Sequence, residues 1–261
     1  MANTSTVPGA TENSGMSSIA KRIAVSVGLV TGSVVVGLAF AIALGFGVAA
    51  TTGGLPTDFV SVLDLVTTQS GFAVVALGFL GGVTGWRFVE IRRPSRRELR
   101  LVIPAVATVL AIEALRQLAV RQGYVGVAGT LSAPEEMNAA AVAVLLGLTV
   151  LVAPPIEELF FRGVVQQYVA DAASPAVGIA VATILFVPVH GLGILLTASS
   201  LMAAVVVVFV LVVLSTVLGV AYARTQNLTI PVMIHAGYNL LTLFVVIGVQ
   251  RAPLAAVFSL L

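Results

Sequence analysis

The sequence predicts an all-α, polytopic membrane protein of about seven transmembrane helices, and three observations carry that prediction. Of the 261 residues, 59% are hydrophobic and only 9% are charged, where a soluble domain carries about 25% charged residues. Mean hydropathy is +1.11. Charge-free stretches recur along the chain, the longest running from Ala172 to Ala223. This composition excludes a soluble enzyme, a disordered chain and a nucleic-acid binder. With no cysteine, disulfides, thiolate nucleophiles and cysteine-ligated metals are excluded as well.

A bilayer core of about 30 Å needs roughly 20 mostly apolar helical residues per crossing. Residues 1–20, rich in Ser, Thr and Gly, read as a disordered tail. Ile23 to Thr57 is charge-free and supplies span one. It is too long for the h-region of a cleaved signal peptide, so an anchored helix is expected. Leu65 to Trp86 is span two, Leu101 to Val120 span three, and Met137 to Ile156 span four. Ala172 to Ala223 holds spans five and six, turning near Gly193 or around Thr197–Ser200. Thr225 to Gln250 is span seven. The number rises to eight if the tail after Pro253 or a re-entrant piece near Gly191 is counted. Residues 21–261 thus form one membrane domain. No internal repeat is visible, which disfavours a transporter of inverted-repeat type.

Basic residues orient the chain. Lys21 and Arg22 precede span one; Arg87, Arg92, Arg93, Arg96, Arg97 and Arg100 crowd the loop after span two; Arg224 precedes span seven. With seven alternating spans all of these lie on one side, with Arg121 and Arg251 opposite. The N-terminus and the basic loop are therefore expected in the cytoplasm of a plasma-membrane protein. The sequence pI near 9.4 is then a topology signal with some anionic-lipid contact, and no nucleic-acid partner is implied.

Ionisable groups inside a span are costly and mark function by default. Pro154-Pro155-Ile156-Glu157-Glu158 leads to Arg162 within a long apolar segment. The prolines lack N–H donors and kink or interrupt a helix. Glu158 and Arg162 are four apart and can pair on one face, while Glu157 points about 100° away and is left for chemistry. Phe186-Val187-Pro188-Val189-His190 and His235-Ala236-Gly237-Tyr238-Asn239 carry the chain's two histidines, each shortly after a proline. His235 and Asn239 share a helix face. Glu113 and Arg116, three apart, most simply pair with each other.

One carboxylate, two imidazoles and an amide converging in a dry interior suggest hydrolysis. The carboxylate takes a proton from water, an imidazole holds that water, and the second imidazole and the amide donate to an oxyanion. Water is the nucleophile, because no serine lies in a recognisable elbow and no His-Glu-x-x-His helix is present. Two other classes fit the same residues: a transporter relaying protons through Glu157, His190 and His235, and a non-enzymatic immunity or scaffold protein held together by its polar cluster.

Glu-Glu-x-x-x-Arg at 157–162, Phe-x-x-x-His at 186–190 and His-x-x-x-Asn at 235–239, in that order, resemble the three motifs of the CAAX protease and bacteriocin-processing family, also called the Abi family. The motif core covers about Pro154 to Asn239; spans one to three match only in being hydrophobic. The resemblance implies an intramembrane endopeptidase similar to those that remove a C-terminal tripeptide from prenylated proteins. It implies Glu157 as the base that activates water, His190 as a water-binding group, and His235 with Asn239 as the oxyanion pair. Glu158 and Arg162 take supporting roles. The partners implied are a peptide or protein with a prenylated C-terminus and the lipid bilayer. A zinc ion, if the family's older metalloprotease reading applies, would use Glu157, His190 and His235; the preferred chemistry is metal-free.

One geometric problem follows from the spans. Counted from a start near Ala176, His190 lies about 21 Å into span five, and counted from a start near Thr229, His235 lies only about 9 Å into span seven, at roughly 1.5 Å per residue. They meet only if helices tilt, break at Pro188 or start later.

Overall fold

The computed structural model describes residues 9–121, 139–197 and 200–251, and among them every regular element is a helix. Helix α1 spans Gly9–Thr52 and α2 Thr57–Phe79, the latter extended by π-helical turns over Leu80–Thr84. A short 3₁₀ turn, Trp86–Phe88, opens the basic loop to α3, Arg96–Arg121. The next rod is continuous but irregular. It comprises α4 (Ala139–Gly147), π turns over Leu148–Val152, α5 (Ala153–Glu158), π turns over Leu159–Gln166 and α6 (Gln167–Ala170). Helices α7 (Pro175–Thr197), α8 (Leu201–Thr225) and α9 (Thr229–Arg251) complete the bundle.

Among the described residues, five stretches are long and apolar enough to cross a membrane: Ser18–Thr52, Phe59–Thr84, Ala140–Ala170, Pro175–Leu192 and Leu201–Thr225. They correspond to spans one, two, four, five and six of the sequence reading; α3 and α9 occupy the stretches read as spans three and seven. The differences are local. Helix α1 takes in residues 9–20 of the expected disordered tail, and residues 1–8 lie outside the described residues. Helix α7 ends at Thr197 and α8 begins at Leu201, so spans five and six divide there and not at Gly193. Gly191 sits inside continuous α7, so no re-entrant piece forms there. The stretch after Pro253, the other candidate for an eighth helix, lies outside the described residues. The prolines at 154 and 155 do not end the fourth rod, because the π turns ahead of them widen the helix and carry it through.

Lipid tails are as apolar as the helices, so helices associate by close packing and polar contacts more than by the hydrophobic effect. Both are visible. A methyl group at Gly71 of α2 would collide with the Ser33 carbonyl oxygen of α1, so the two backbones lie as close as a glycine permits. Phe72, Phe160, Phe161 and Phe186 form a buried aromatic cluster between α2, the fourth rod and α7. Successive ring centroids lie 5.0, 5.0 and 5.1 Å apart along Phe72–Phe160–Phe161–Phe186.

The basic loop is fastened to the α8–α9 turn. Leu228 N–H donates to the Glu90 carbonyl (2.9 Å), Arg92 N–H to Asn227 Oδ1 (3.2 Å) and Thr229 Oγ1 to the Arg92 carbonyl (2.9 Å). Arg92 also pairs with Glu98 at 2.6 Å. Ser95 and Glu98 form a capping box that starts α3: Glu98 Oε2 accepts from Ser95 N–H (2.8 Å) and Oγ–H (2.6 Å), and Glu98 N–H donates to Ser95 Oγ (3.3 Å). Hydrogen bonds from Arg92, then from Ser95, hold the Glu98 carboxyl down at about 2. This loop fixes where α9 begins, and α9 carries His235.

Candidate active site

Glu157 and Glu158 are consecutive on α5 and face different partners, as their angular separation on a helix requires. Glu158 is fully buried and lies 3.2 Å from Arg162 Nε, also fully buried. Arg162 reaches past it to the Ser215 carbonyl (3.1 Å) and hydroxyl (3.2 Å) on α8, and its guanidinium lies 5.1 Å from the Phe186 ring centroid. Thr183 on α7 joins through a 3.1 Å contact with the Ser215 hydroxyl. A buried ion pair needs further hydrogen bonds to offset its desolvation. Here α8 supplies them.

Glu157 faces the other way. Its Oε2 lies 3.2 Å from His190 Nε2 and 3.8 Å from His235 Nε2. Its Oε1 accepts a 2.7 Å hydrogen bond from Gln69 Nε2 on α2. Both imidazoles are held from behind. His190 Nδ1 lies 3.0 Å from the Phe186 carbonyl, an acceptor, so Nδ1 carries the proton and Nε2 is the atom turned to Glu157. The His190 ring stacks on Phe186 at 3.8 Å between centroids and 17° between planes. His235 Nδ1 donates to Glu158 Oε1 at 2.7 Å, again leaving Nε2 for the Glu157 side.

The depth mismatch between the two histidines is thereby resolved. Helix α7 runs unbroken through Pro188, and α9 starts at Thr229 as expected. Neither a break nor a later start applies. Helix α9 packs on α3, α8 and α5, and the two imidazoles meet at Glu157 on α5.

Asn239 donates from Nδ2 to the Thr149 carbonyl at 2.9 Å. The reason lies in the fourth rod. Over Leu148–Val152 the hydrogen bonds run five residues back, Ala153 N–H reaching the Leu148 carbonyl. In that frame the donor for Thr149 would be residue 154, a proline with no N–H. The Asn239 amide takes the place of the missing donor, and its second N–H remains for a ligand.

These groups line a cavity of about 450 Å³ whose walls include Ser61, Asp64, Thr149, Glu157, His190, His235, Tyr238 and Asn239. Every residue singled out in the three motifs is therefore at or directly behind one cavity. Glu113 and Arg116 stand apart from it: they pair with each other at 2.7 Å, as expected, with Gln117 donating to Glu113 at 2.8 Å. Tyr238 OH, 3.5 Å from Glu113 Oε2, links them to α9.

Sequence reasoning missed Gln69, Ser215 and Asp64. Gln69 had a signal, an amide in an otherwise apolar span. The carbonyls of Thr149 and Phe186 had none, because backbone atoms leave no trace in composition.

Zinc would need Glu157, His190 and His235 as ligands. Their inner nitrogens are anchored as metal-bound histidines usually are, yet among the described residues no set of three His, Cys, Asp or Glu is spaced to hold a metal ion.

Comparison with known proteins agrees with this geometry. Residues 139–241 match the family model described as Type II CAAX prenyl endopeptidase Rce1-like. The match covers less than half of the chain, and over that segment the chain is similar to a family of CAAX prenyl endopeptidases, which are membrane proteases. The match runs from the start of α4 into α9 and takes in all three motifs, while α1, α2 and α3 lie outside it. No curated protein and no solved structure matched the chain.

Proposed function

We propose that the protein is an intramembrane endopeptidase in which Glu157 activates water for attack on a peptide carbonyl. The observation that carries this reading is the approach of both histidines to one carboxylate oxygen at the wall of a cavity inside a helix bundle. Glu157 Oε2 takes a proton from water as the water oxygen bonds to the carbonyl carbon. His190 Nε2, locked in orientation by Phe186, holds that water beside the carboxylate. The oxyanion is met by the second N–H of Asn239 and by the His235 imidazole, which Glu158 holds in place from behind through Nδ1. The C–N bond then breaks, and Glu157 returns its proton to the leaving amine.

The substrate we infer is a protein or peptide with a prenylated C-terminus, reaching the cavity from the bilayer. The host membrane is the plasma membrane, with the N-terminus and the arginine-rich loop in the cytoplasm. Nucleic acid is not a partner, and no cofactor is needed for the chemistry proposed.

The test is hydrolysis of a quenched fluorescent peptide ending in a farnesylated CAAX box, by purified wild type and Glu157→Gln, with and without chelator. Wild-type cleavage reduced about 10²–10⁴-fold in the variant supports the role of Glu157. Equal rates in the two proteins overturn it. Loss of activity on chelation, restored by zinc, overturns the metal-free chemistry.

A further inference from the structure

The family match covers the motifs but leaves α2 unassigned, and α2 places one side chain directly on the reacting carboxylate. Gln69 is buried, 4% exposed, and its Nε2 donates to Glu157 Oε1 at 2.7 Å. It arrives from outside the matched segment. A carboxylate has two equivalent oxygens and a soft terminal torsion, so a lone glutamate in a cavity can present either oxygen, at a range of angles. In this site the two oxygens are made unequal. Oε1 accepts from the Gln69 amide nitrogen, while Oε2 is the oxygen that faces His190 Nε2 at 3.2 Å and His235 Nε2 at 3.8 Å.

We propose that Gln69 is the positioning residue of the Glu157 carboxylate: by holding Oε1 it selects Oε2 as the oxygen that receives the proton from water. The proposal rests on the endopeptidase reading and adds α2 to its machinery. The surroundings of Gln69 support it. Neighbouring Phe72, one helical turn on, packs against Phe160 and Phe161 at 5.0 and 5.4 Å between ring centroids. The α2 backbone is held against α1 at Gly71. The amide is thus carried on a helix locked on both sides, as a positioning group must be. Glycine or alanine at 69 would remove the donor and leave Glu157 Oε1 buried without a partner.

Gln69→Met keeps the length and removes the donor; Gln69→His offers a different donor at the same place. Steady-state cleavage by both is compared with wild type, together with thermal unfolding in detergent. The expected result for Gln69→Met is a kcat reduced roughly 10- to 100-fold with KM within about twofold, folding retained, and partial recovery of kcat in Gln69→His. A kcat for Gln69→Met within about twofold of wild type overturns the proposal, as does a loss that follows unfolding and is equal in the two variants. A second readout separates this from the endopeptidase reading. The infrared carboxylate band of Glu157, isolated by difference against Glu157→Gln, should shift in Gln69→Met because a hydrogen bond to Oε1 is lost. An unshifted band overturns the contact whatever the activity. A shifted band in a protein that cleaves no peptide keeps the contact and overturns the endopeptidase reading instead.

Discussion

Two buried glutamate–arginine pairs sit on helices of this protein, and in sequence they look alike. Glu158 and Arg162 are four apart on the fourth rod; Glu113 and Arg116 are three apart on α3. The first pair has both side chains at 0% exposure and the second has Glu113 at 4% and Arg116 at 15%. What separates them is the third partner. Glu158 extends to His235 and Arg162 to Ser215, so that pair holds an imidazole against the cavity from behind. Glu113 extends to Gln117 and the Tyr238 hydroxyl, so the other pair joins α3 to α9. An i, i+3 or i, i+4 spacing says that two charges can meet. Their purpose is read from what else they touch.

Breaking each pair should separate these purposes. Arg162→Met has the largest expected effect, because it leaves the fully buried Glu158 without its cation and removes the link to Ser215 on α8. Removing one partner of such a pair costs about 3–5 kcal/mol. The variant should yield little folded protein in detergent, which size exclusion and thermal unfolding would reveal; a near-wild-type unfolding temperature would contradict the assignment. Replacing the α3 pair together, Glu113→Gln with Arg116→Met, should cost less, on the order of 1 kcal/mol, because neither group is left alone and Arg116 is partly exposed. Its kcat should stay within about twofold of wild type. A larger fall in kcat at unchanged stability would place α3 in the catalytic machinery.

The smallest effect belongs to a third pair, outside the spans. The Glu98 carboxyl is held at about 2, against an ordinary 4.5, first by its hydrogen bond from Arg92 and then by those from Ser95. A lowered carboxyl favours the folded state at pH above 4.5, and this contribution fades as pH falls from about 4.5 towards 2. Unfolding followed across that window should show a stability loss in wild type that is smaller in Glu98→Gln. Identical profiles would mean that the capping box contributes nothing measurable.

Much of the fold could be read from composition alone, since long uncharged runs leave few alternatives to membrane helices. The candidate site was legible in its motifs because ionisable groups stand out against such a background. Glu157, Glu158, Arg162, His190, His235 and Asn239 all lie at or behind one cavity, and Glu158 pairs with Arg162 as the spacing requires. The convergence of His190 and His235 was not legible. It depends on how α7 and α9 are placed around Glu157 on α5, and no local pattern encodes where one helix sits against another. Nor could the sequence say that the fourth rod would continue through two prolines. A proline usually marks an interruption, and here the π turns ahead of it absorb the misfit. Gln69 was missed, because its partner lies in a part of the chain that only the folded bundle brings near.

The Thr149 carbonyl ties two distant positions into one unit of inheritance. Proline at 154 withholds the N–H that would have met this carbonyl, and asparagine at 239 provides the replacement. An ordinary residue at 154 would restore a donor within the helix and leave the Asn239 amide competing for a carbonyl already engaged. Loss of the amide while the proline remains would strand the carbonyl instead. Substitutions at the two positions are therefore expected to be non-additive, the effect of each depending on the residue at the other.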